Sequence, residues 1–474
     1  MRILYYDWDE FNGKDCRDAM ERLGHQVDTI KLKMEGYDLT PEIERAFYEK
    51  ITGIKLQAES EEIADAKSMV ESAIIGNANS ISDGESVSTG HMHRLIYDLV
   101  FSFDYFPNIS EVCQKLQIPY VSWVFDCPHY TLDSHTTTNP VNHIYLFDKR
   151  LYAQMSAKTA RLVAELSASS TSSADNQNSG YSDHVGDTNS QTFCHSDHVR
   201  NSNPQPFRYS PLAVNVERLS QLCQDLDAET DGRIIYEHEV CFLGSLYDNE
   251  YNFYDQVNYL PPYLKGYVDA VIAAQERVFG ADFFTEDAIF SDEHVRQLRE
   301  YIKFESTGKY EIDYDNVIRD ILRKKVTVNE RHHILAEMGK RFETVLYTTP
   351  GAKEIPGVCN LGVADYTTKM PRVFRRSKIN LNITLRSILS GVPLRVVDIL
   401  AAGGFLLTNY QEEIAEYFVD GQDLVIAYTP EDMIEKTAYY LEHDDERKAI
   451  AAAGQKKVLE NFAYTKLLPE ILRV

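Results

Sequence analysis

The sequence predicts an α/β protein built from two doubly wound parallel sheets that face each other across a cleft. At the N-terminus the apolar run RILYYD is followed by the helical pattern DCRDAMERLG and then by a second apolar run, HQVDTIKL. This order is typical of a βαβ unit, which pairs parallel strands and covers them with helices. The same alternation starts again at EVCFLGSLY (239–247). Such sheets bind ligands at the carboxyl ends of their strands, so we expect a site in the cleft.

The first domain is predicted to span residues 1–235. Its first helix ends at Gly24, a residue suited to the position just after a helix C-terminus. Further apolar runs predict strands at DLVFSFDYF, PYVSWVFD, HIYLFD and YSPLAV. Residues 167–206 are dominated by Ser, Asn, Asp, Thr and Gly. Because such a segment buries too little apolar surface to offset its ordering entropy, we predict a disordered insert there.

The second domain is predicted to span residues 236–474. Residues 250–340 are mostly charged and follow helical patterns, which indicates a helical insert after the first strand of this domain. The runs RFETVLYT, KINLNIT, GFLLTN and DLVIAY predict the following strands, with helices between them. The stretch YTKLLPEILRV predicts a last helix. The second half therefore repeats the alternation of the first.

Composition and charge exclude several classes of protein. The 474 residues include 48 Lys and Arg against 73 Asp and Glu, a formal charge of −25 that repels nucleic-acid phosphates. No apolar run approaches the roughly 18–20 residues that cross a bilayer, and no secretory signal is recognisable. The seven cysteines are scattered without a CxxC pair, as in a reducing compartment. We expect a cytoplasmic protein without nucleic-acid partner or integral membrane segment, in which any anionic ligand needs a local positive site.

The stretch SGVPLRVVDILAAGG (390–404) has the features of an anion site at a helix start. Pro393 suits the first helical position, and Gly391 lies in the turn before it. The free N–H groups that follow, together with the helix dipole, attract a phosphate. Arg395 adds a planar cationic fork, and Asp398, one turn later, can accept hydrogen bonds from ribose hydroxyls. The alternative is that Asp398 only favours the helix dipole and pairs with Arg395 on the surface.

Two further stretches are candidate phosphate contacts. In FLGSLYD a strand runs into a turn where the backbone amides of Gly244 and Ser245 can approach a diphosphate. The alternative for this stretch is an ordinary junction between a strand and a turn. RVFRRSK (372–378) concentrates basic side chains in an acidic protein. It either steers an anionic donor or forms a solvated helix face.

The first half offers candidates for a general base. SWVFDCPHYTLD (122–133) places Asp126 and His129 directly after an apolar strand, where a base lies on a doubly wound sheet. The alternative is a strand-end turn with a capping Asp. Asp7 and Asp9, in YYDWDE, resemble the acidic pocket of a receiver domain. That regulatory hypothesis needs a phosphorylated Asp after the third strand, and Asp104 fits poorly because it comes so far along the chain.

Residues 378–442 resemble the C-terminal domain of CgeB-like bacterial glycosyltransferases, within the group-1 GT-B superfamily. The resemblance rests on the pattern R-x-x-[E/D]-x-x-A-x-G-G-F-L-L-T, followed by an acidic helix and a G-x-D-L-V strand. FLGSLYD matches the way this domain begins. The order FDYFP, PYVSWVFDCPH, YLFDK and PLAVN is similar to the N-terminal domain of uncharacterised members of the group.

The resemblance implies a GT-B fold of two Rossmann-like domains. The C-terminal domain would bind a nucleotide-sugar donor, and the N-terminal domain would bind an acceptor that the sequence does not identify. It implies that Asp398 binds the ribose and Arg395 the diphosphate, with no bound metal and no other cofactor. Related retaining transferases usually carry two glutamates eight positions apart. Ser390 and Asp398 stand at those positions here, which leaves the stereochemical outcome open.

The resulting hypothesis is a metal-independent glycosyltransferase. Arg395 and the amides at the start of its helix would stabilise the charge on the departing diphosphate. If the reaction inverts configuration, Asp126 or His129 would take the proton of the acceptor. The alternative is a non-catalytic sugar-nucleotide-binding or spore-surface protein of the same fold, and Ser390 in place of a glutamate supports it.

Overall fold

The computed structural model describes residues 1–55, 95–174, 205–249, 252–257, 259–304, 308 and 310–474, with the backbone alone described for 165–174. In these residues the strands form two six-stranded sheets. Every pairing within each sheet is parallel. The prediction of two doubly wound α/β units is confirmed.

The first sheet belongs to the N-terminal half of the chain. Its strands are β1 (Arg2–Tyr6), β2 (Gln26–Ile30), β3 (Leu99–Phe103), β4 (Tyr120–Val124), β5 (Asn142–Leu146) and β6 (Phe207–Tyr209). Their order across the sheet is β2-β1-β3-β4-β5-β6. The helices of this half are α1 (Gly13–Arg22), α2 (Pro41–Thr52), α3 (Pro107–Leu116), α4 (Lys149–Ala174) and α5 (Val216–Ala228).

Apolar side chains bury the first sheet on both faces. Leu4 and Tyr6 of β1 lie in a core with α2 and α3, while Ile3 and Tyr5 lie in a second core with α1. β3 and β4 are buried along their whole length, as expected of central parallel strands. α1 stops where Gly24 adopts a left-handed conformation with φ of 84°.

The second sheet belongs to the C-terminal half. Its strands are β7 (His238–Leu243), β8 (Thr344–Tyr347), β9 (Val358–Asn360), β10 (Ser377–Asn382), β11 (Leu406–Asn409) and β12 (Val425–Ala427), in the order β12-β11-β10-β7-β8-β9. Its helices are α6 (Pro262–Gln275), α7 (Asp292–Tyr301), α8 (Tyr314–Arg341), α9 (Lys369–Arg375), α10 (Leu394–Ala401), α11 (Glu412–Tyr417), α12 (Pro430–Glu442), α13 (Asp444–Asn461) and α14 (Tyr464–Ile471). None of the helices in the described part of the chain has the length and apolar character that a membrane crossing requires.

The strand order reverses once in each sheet. The reversal falls between β1 and β3 in the first sheet and between β7 and β10 in the second. The connections on either side of such a point leave towards opposite faces, which opens a crevice at the carboxyl ends of the strands. Ligands of open parallel sheets bind in this crevice. The topology alone therefore marks two positions for a site.

A helical insert with its own core separates β7 from β8. Its core includes Leu264 of α6, Leu298 of α7 and Leu322 of α8. α8 is 28 residues long, and its C-terminal part leaves the insert to pack on the second sheet through Leu335 and Met338. One continuous helix therefore links the insert to the sheet, within the stretch predicted to be helical.

The chain passes between the two halves twice, at one place. Val214 on the outward connection and Ala463 on the return form a parallel bridge. The N–H of Val214 donates to the carbonyl of Phe462 at 2.9 Å, and the N–H of Tyr464 donates to the carbonyl of Val214 at 3.2 Å. The two connections are therefore hydrogen-bonded to each other.

Two helices pack across the domain boundary predicted at residue 235. α5 comes before that boundary, yet its Leu219 lies in a core of the second sheet. α14 is the last helix of the chain, yet Leu468 and Ile471 complete a core of the first sheet. Each half of the chain therefore contributes a helix to the other half's domain.

Two local predictions differ from the structure, and one short strand was not predicted. YSPLAV is not a strand along its length, because Pro211 has no N–H to donate to a ladder, and β6 ends at Tyr209. The three-residue strand β9 was not predicted, since its side chains are only partly buried or exposed. The disordered insert predicted for 167–206 begins inside α4, whose backbone is helical to Ala174. Residues 175–204 of that prediction lie outside the described residues.

Replacing Leu468 with alanine tests the docking of α14 on the first domain. Leu468 is fully buried, so the change removes apolar contacts and leaves a cavity. We expect the free energy of unfolding, measured by urea denaturation, to fall by about 2–4 kcal/mol. Glu470→Ala is the matched control, because the Glu470 side chain on the same helix is 73% exposed. The control is expected to change stability by less than about 0.5 kcal/mol. Wild-type stability of Leu468→Ala would contradict the docking.

Candidate functional site

A pocket of about 200 Å³ lies between the two domains at the carboxyl ends of β7 and β10. We call it the interdomain pocket. It is bounded by Phe125 and Asp126 of the first domain and by Ser245, Arg331 and Arg395 of the second. The pocket therefore occupies the crevice that the strand order of the second sheet marks.

Arg331, on α8, contributes a buried positive charge that has no carboxylate partner among the described residues. It is 7% exposed. Nη1 donates to the carbonyl of Ser245, and Nε and Nη2 donate to the carbonyl of Ile383 at 3.2 and 2.6 Å. Its guanidinium carbon lies 5.3 and 5.2 Å from the ring centroids of Phe242 and Tyr247. Carbonyl oxygens and rings satisfy the donors without cancelling the charge.

Arg395 places a second guanidinium in the same pocket. It lies 5.4 Å from the ring centroid of Phe374 and 3.5 Å from the carboxylate of Asp398. Burial lowers the pKa of Arg331, Tyr247 and Glu330 act against this fall, and the charge of Arg395 lowers the pKa further. Pro393 is the cap before α10 rather than its first helical residue. The N–H of Val396 donates to the carbonyl of Pro393 at 3.0 Å, so Leu394 and Arg395 supply the N–H groups of the first turn that have no partner within the helix. Two cations and a helix start together favour an anion such as a diphosphate.

Asp398 lies behind Arg395 and is not in the wall of the interdomain pocket. It is 5% exposed, and the hydroxyl of Tyr366 donates to Oδ1 at 3.3 Å. Burial raises the pKa of Asp398 to about 6, although Arg395 and Tyr366 act against this rise. In its predicted role, Asp398 accepts a hydrogen bond from a ribose hydroxyl. In the structure the hydroxyl of Tyr366 occupies that position. That role stays a prediction.

Three turn residues, Gly244, Ser245 and Gly391, were predicted to contact the donor, and the structure places each of them differently. The N–H of Gly244 donates to the carbonyl of Tyr347 at 3.0 Å, so this amide belongs to the sheet and is not free for a diphosphate, which corrects the prediction. Ser245 does line the interdomain pocket. A Cβ on Gly391 would lie 2.9 Å from the carbonyl oxygen of Phe147 in the first domain. The structure therefore gives Gly391 a role in domain packing, and its predicted donor contact stays a prediction.

A buried hydrogen-bond network joins the domains beside the pocket. Asp148, just after β5, accepts the N–H groups of Leu389 and Ser390 at 2.6 and 2.9 Å and that of Leu151 at 2.9 Å. Ser390 Oγ lies 2.9 Å from Asp148 Oδ1 and 2.7 Å from Glu413 Oε1. All three side chains are buried. Ser390, at the position where the resemblance expects a glutamate, is therefore committed to the contact between domains.

This network requires one proton more than the hydroxyl of Ser390 supplies. Asp148 faces only donors, namely three N–H groups and that hydroxyl. Because a hydroxyl has a single proton, the nearby oxygen of Glu413 either carries a proton itself or repels Ser390 Oγ. Burial raises the pKa of Glu413, while the hydroxyl of Tyr209 and the N–H of Lys149, which donate to its two oxygens, act against this rise.

A larger pocket, of about 640 Å³, lies where the strand order of the first sheet reverses. We call it the strand-end pocket. It is bounded by Asp7 and Trp8 after β1, Tyr37 after β2, Asp104 after β3 and Asp126 after β4. Asp126 lines the interdomain pocket as well. The two pockets therefore meet at a side chain that the sequence indicated as a candidate base.

The structure brings Asp126 and His129 together with Asp104. One oxygen or nitrogen atom of each residue lies within 4.8 Å of those of the other two. Asp104 is 3% exposed, and its Oδ1 accepts the N–H groups of Phe125 and Asp126 at 3.0 and 3.1 Å. Burial raises the pKa of Asp104, the charge of His129 lowers it, and that of Asp126 raises it. The predicted pair is thus part of a cluster of three.

Two charged stretches with alternative interpretations are neutralised by neighbours. The basic side chains of RVFRRSK face carboxylates, which removes the net charge that steering of a donor needs. Asp7 and Asp9, the acidic pair of the receiver hypothesis, face cations. The pairs are Arg375–Asp227, Arg376–Glu229, Arg376–Glu237, Arg372–Glu237, Lys378–Glu239, Arg17–Asp7 and Lys31–Asp9.

Sequence reasoning missed Arg331, Asp104 and Asp148 as site residues. Arg331 lies inside a long charged helix, where the sequence does not distinguish it from its solvated neighbours. Asp104 and Asp148 each come directly after an apolar strand, like Asp126. That position is a usable signal, because the carboxyl ends of parallel strands line the cleft.

Residues 294–473 match the model of a family described as glycosyl transferase-like. No curated protein matches the chain. Solved structures that align with it include a glycosyltransferase from Rickettsia africae, HepE of Anabaena in complex with UDP and glucose, and a UDP-forming α,α-trehalose-phosphate synthase from Burkholderia xenovorans. Their identities are 10%, 8% and 12% and their TM-scores 0.39, 0.39 and 0.42, with 100% of this chain and 98% of each of theirs covered. Likenesses this weak carry no argument about function. The matched family segment contains Arg331, Arg395 and Asp398.

Asp148→Asn tests the network between the domains. The asparagine NH₂ would face the N–H groups of Leu389 and Ser390, so two hydrogen bonds are lost and donors meet donors. We expect the free energy of unfolding in urea to fall by about 2–4 kcal/mol, with a larger radius of gyration by X-ray scattering. Glu416→Gln is the control, because Glu416 pairs with Lys149 across the same boundary but is 46% exposed, and we expect at most about 0.5 kcal/mol from it. An Asp148→Asn chain as compact and stable as wild type would rule out the network as the domain contact.

Proposed function

We propose that this chain is a group-1 glycosyltransferase of the GT-B type, which moves a sugar from a nucleotide-sugar donor to an acceptor. The observation that carries the proposal is the cationic interdomain pocket, where the described residues offer Arg331 no carboxylate partner. In a chain with a formal charge of −25, an uncompensated buried guanidinium indicates an anionic ligand. The glycosyl transferase-like match over residues 294–473 supports a phosphate-linked sugar as that ligand.

The donor diphosphate is proposed to bind between Arg331 and Arg395, against the first turn of α10. The guanidiniums offer bidentate hydrogen bonds to phosphate oxygens, and the helix start adds free N–H groups. Asp398 is proposed to accept the ribose hydroxyls after Tyr366 releases it. The predicted contact from the N–H of Ser245 remains part of the proposal. The arginines supply the positive charge at the diphosphate, so no metal is required at that point.

The transfer is proposed to take place where the two pockets meet. The bond between sugar C1 and the diphosphate oxygen breaks, and its electron pair stays on the diphosphate, which Arg331 and Arg395 stabilise. An acceptor hydroxyl in the strand-end pocket forms the new bond to C1. In an inverting reaction its proton passes to Asp126 or His129. Asp126 is the better placed of the two, because it lines both pockets.

The finer assignments belong to the same proposal. The donor side is assigned to residues 236–474 and the acceptor side to residues 1–235, apart from the exchanged helices α5 and α14. We further propose that the chain is a CgeB-like bacterial protein that acts in the cytoplasm. The acceptor is proposed to be a small molecule or polymer with a free hydroxyl, because the strand-end pocket combines aromatic walls with carboxylates.

A second candidate is a non-catalytic sugar-nucleotide-binding protein, such as a spore-surface protein of the same fold. The observation that favours it is the position of Ser390, whose hydroxyl is held by Asp148 and Glu413 and is therefore not available to a donor. Tight binding of a nucleotide sugar without any turnover or hydrolysis would establish this candidate over the transferase.

A thermal-shift panel of nucleoside diphosphates and nucleotide sugars tests the cationic pocket. A ligand present at about 100 times its Kd adds about 2.7 kcal/mol to the stability of the folded state and so raises Tm. Arg331→Gln and Arg395→Gln should each weaken the ligand that shifts Tm by about 10- to 100-fold, the effect of losing a charged hydrogen bond. Arg296→Gln is the matched control, since Arg296 is 68% exposed and far from the pocket in the helical insert. No shift with any of these ligands at millimolar concentration would count against both candidate functions.

The pKa of Asp398 predicts a pH dependence of nucleotide binding. Because burial raises this pKa to about 6, Asp398 is mostly protonated at pH 5 and mostly ionised at pH 7.5. Only the ionised carboxylate accepts both ribose hydroxyls, so the wild-type affinity should fall about tenfold from pH 7.5 to pH 5. Asp398→Asn should lack this component and retain only the smaller effect of phosphate protonation.

Ionisation of Asp398 should raise the affinity for nucleotide but lower the stability of the ligand-free protein. A folded-state pKa above the unfolded value means that stability is lost as pH rises through about 6, where Asp398 ionises. Asp398→Asn removes this loss, so its stability relative to wild type should increase between pH 5 and pH 7.5. Thermal unfolding without ligand measures this difference, and equal pH profiles of the two proteins would contradict the raised pKa.

A further inference from the structure

Three side chains in the strand-end pocket have the geometry of a coordination sphere. Asp104 follows β3, and Asp126 and His129 follow β4, so the fold fixes them from two neighbouring strands. Their nearest ligand atoms lie within 4.8 Å of one another. Two ligands on opposite sides of an ion, each at about 2.1 Å, are about 4.2 Å apart, so a small contraction closes this set around a cation.

Asp104 supplies an independent sign of a missing ligand. It is nine-tenths buried or more, and its Oδ1 is fully used by the N–H groups of Phe125 and Asp126. Its Oδ2 accepts no hydrogen bond from the described residues, although Asp104 lines the pocket. This oxygen is therefore open to the pocket and not taken up by a protein donor, so it can bind a cation there.

His129 is oriented so that one ring nitrogen faces no partner. Nε2 lies 2.8 Å from Thr131 Oγ1, 3.0 Å from the carbonyl oxygen of Tyr105 and 3.1 Å from the backbone nitrogen of Tyr105. Nε2 accepts the N–H of Tyr105 in one tautomer and donates to the two oxygens in the other. In the second tautomer Nδ1 keeps its lone pair, and within the described residues Nδ1 makes no hydrogen bond. A ring N–H held by a backbone carbonyl is the usual support for a histidine that ligates a metal through its other nitrogen.

Two of the cations near the pocket are paired with other carboxylates. Lys31 pairs with Asp9, and Arg17 pairs with Asp7. In the described part of the chain no Lys or Arg forms an ion pair with the cluster, and Lys324 acts on Asp126 only at longer range. No ion pair with a lysine or arginine therefore blocks the carboxylates of the cluster.

We propose that Asp104, Asp126 and His129 form a binding site for a divalent cation, with Mn²⁺ or Zn²⁺ as the best match. Two carboxylates and one imidazole form the mixed oxygen and nitrogen set that these ions accept. Three protein ligands leave open coordination positions that face the strand-end pocket. A hydroxyl of the acceptor binds there and is held towards the interdomain pocket. With the ion bound, Asp126 and His129 are its ligands and not the base, and the proton of the hydroxyl leaves to solvent. This last step rests on the proposed function, whereas the metal site itself does not.

Titration of the full chain with Mn²⁺, after removal of metals with EDTA, tests the site directly. Free Mn²⁺ is followed by its electron paramagnetic resonance signal, which is lost on binding. We expect one saturable site per chain, displaced by Zn²⁺, and at least about tenfold weaker binding in Asp104→Asn and in Asp126→Asn. Asp9→Asn is the matched control, because it removes the same charge from the same pocket but from a carboxylate that pairs with Lys31. It should leave the Mn²⁺ affinity within about twofold.

Two variants, Asp104→Asn and Asp126→Asn, are used so that the test still gives a result if one of them folds poorly. Asparagine at 104 retains an oxygen acceptor for the two backbone N–H groups, and Asp126 is exposed, so its substitution spares the fold. The proposal is overturned if Mn²⁺ shows no saturable site, or if Asp9→Asn weakens binding as much as Asp104→Asn and Asp126→Asn do. Nucleotide binding by the metal-free protein is measured separately. Its absence alongside an intact Mn²⁺ site would overturn the proposed function and leave the metal site standing.

Discussion

The contact of Asp148 with Ser390 and Glu413 is the constraint on which the cleft depends. These buried groups fix the segment between β10 and α10 against the end of β5. That segment leads directly into α10, which carries Arg395 into the interdomain pocket. The same contact therefore sets the distance between the cationic wall of the second domain and Asp126 of the first. A charge buried at such a junction is tolerable only because every lone pair that it presents meets a donor.

The electrostatics of the cleft follow from which charges lack partners. Much of the acidic surface is matched by local cations, including the basic segment 372–378 and the pair Asp7 and Asp9. Two buried charged side chains that form no ion pair within the described residues lie on opposite sides of the cleft, Arg331 in the second domain and Asp104 in the first. An uncompensated buried charge lowers stability, so its retention points to a ligand of the opposite sign. The cleft is thus suited to an anion on one side and to a cation on the other.

The sequence was sufficient for the fold but only for part of the site. Long apolar runs such as DLVFSF and SWVF predict buried strands, because parallel strands covered on both faces are apolar throughout. Asp126 and Arg395, which both line the interdomain pocket, were selected from the sequence because Asp126 follows a strand and Arg395 lies at the start of a helix. Arg331 was not found, since its role depends on the carbonyls of Ser245 and Ile383, which are remote in sequence. The amide of Gly244 was predicted to be free for a related reason. Its N–H donates to the carbonyl of Tyr347, which is remote in sequence and becomes a partner only in the folded sheet. The packing of α5 on the second domain and of α14 on the first could not be predicted from the sequence either. The apolar face of an amphipathic helix does not specify which apolar surface it covers.

The bridge between Val214 and Ala463 limits how the two halves can move. Both connections pass through one point and are hydrogen-bonded to each other there. Rotation of the halves would therefore pivot at this bridge, and it would have to open the contact of Asp148 with Ser390. Sliding would break the bridge, whereas rotation about it is compatible with every bond that the bridge makes. Under such a rotation, the displacement of a residue grows with its distance from the axis. The edges of the crevice would therefore separate most, while the residues at the bridge would stay in place. Because α14 ends the chain inside the first half, even a break in the outward connection would leave the two lobes held together.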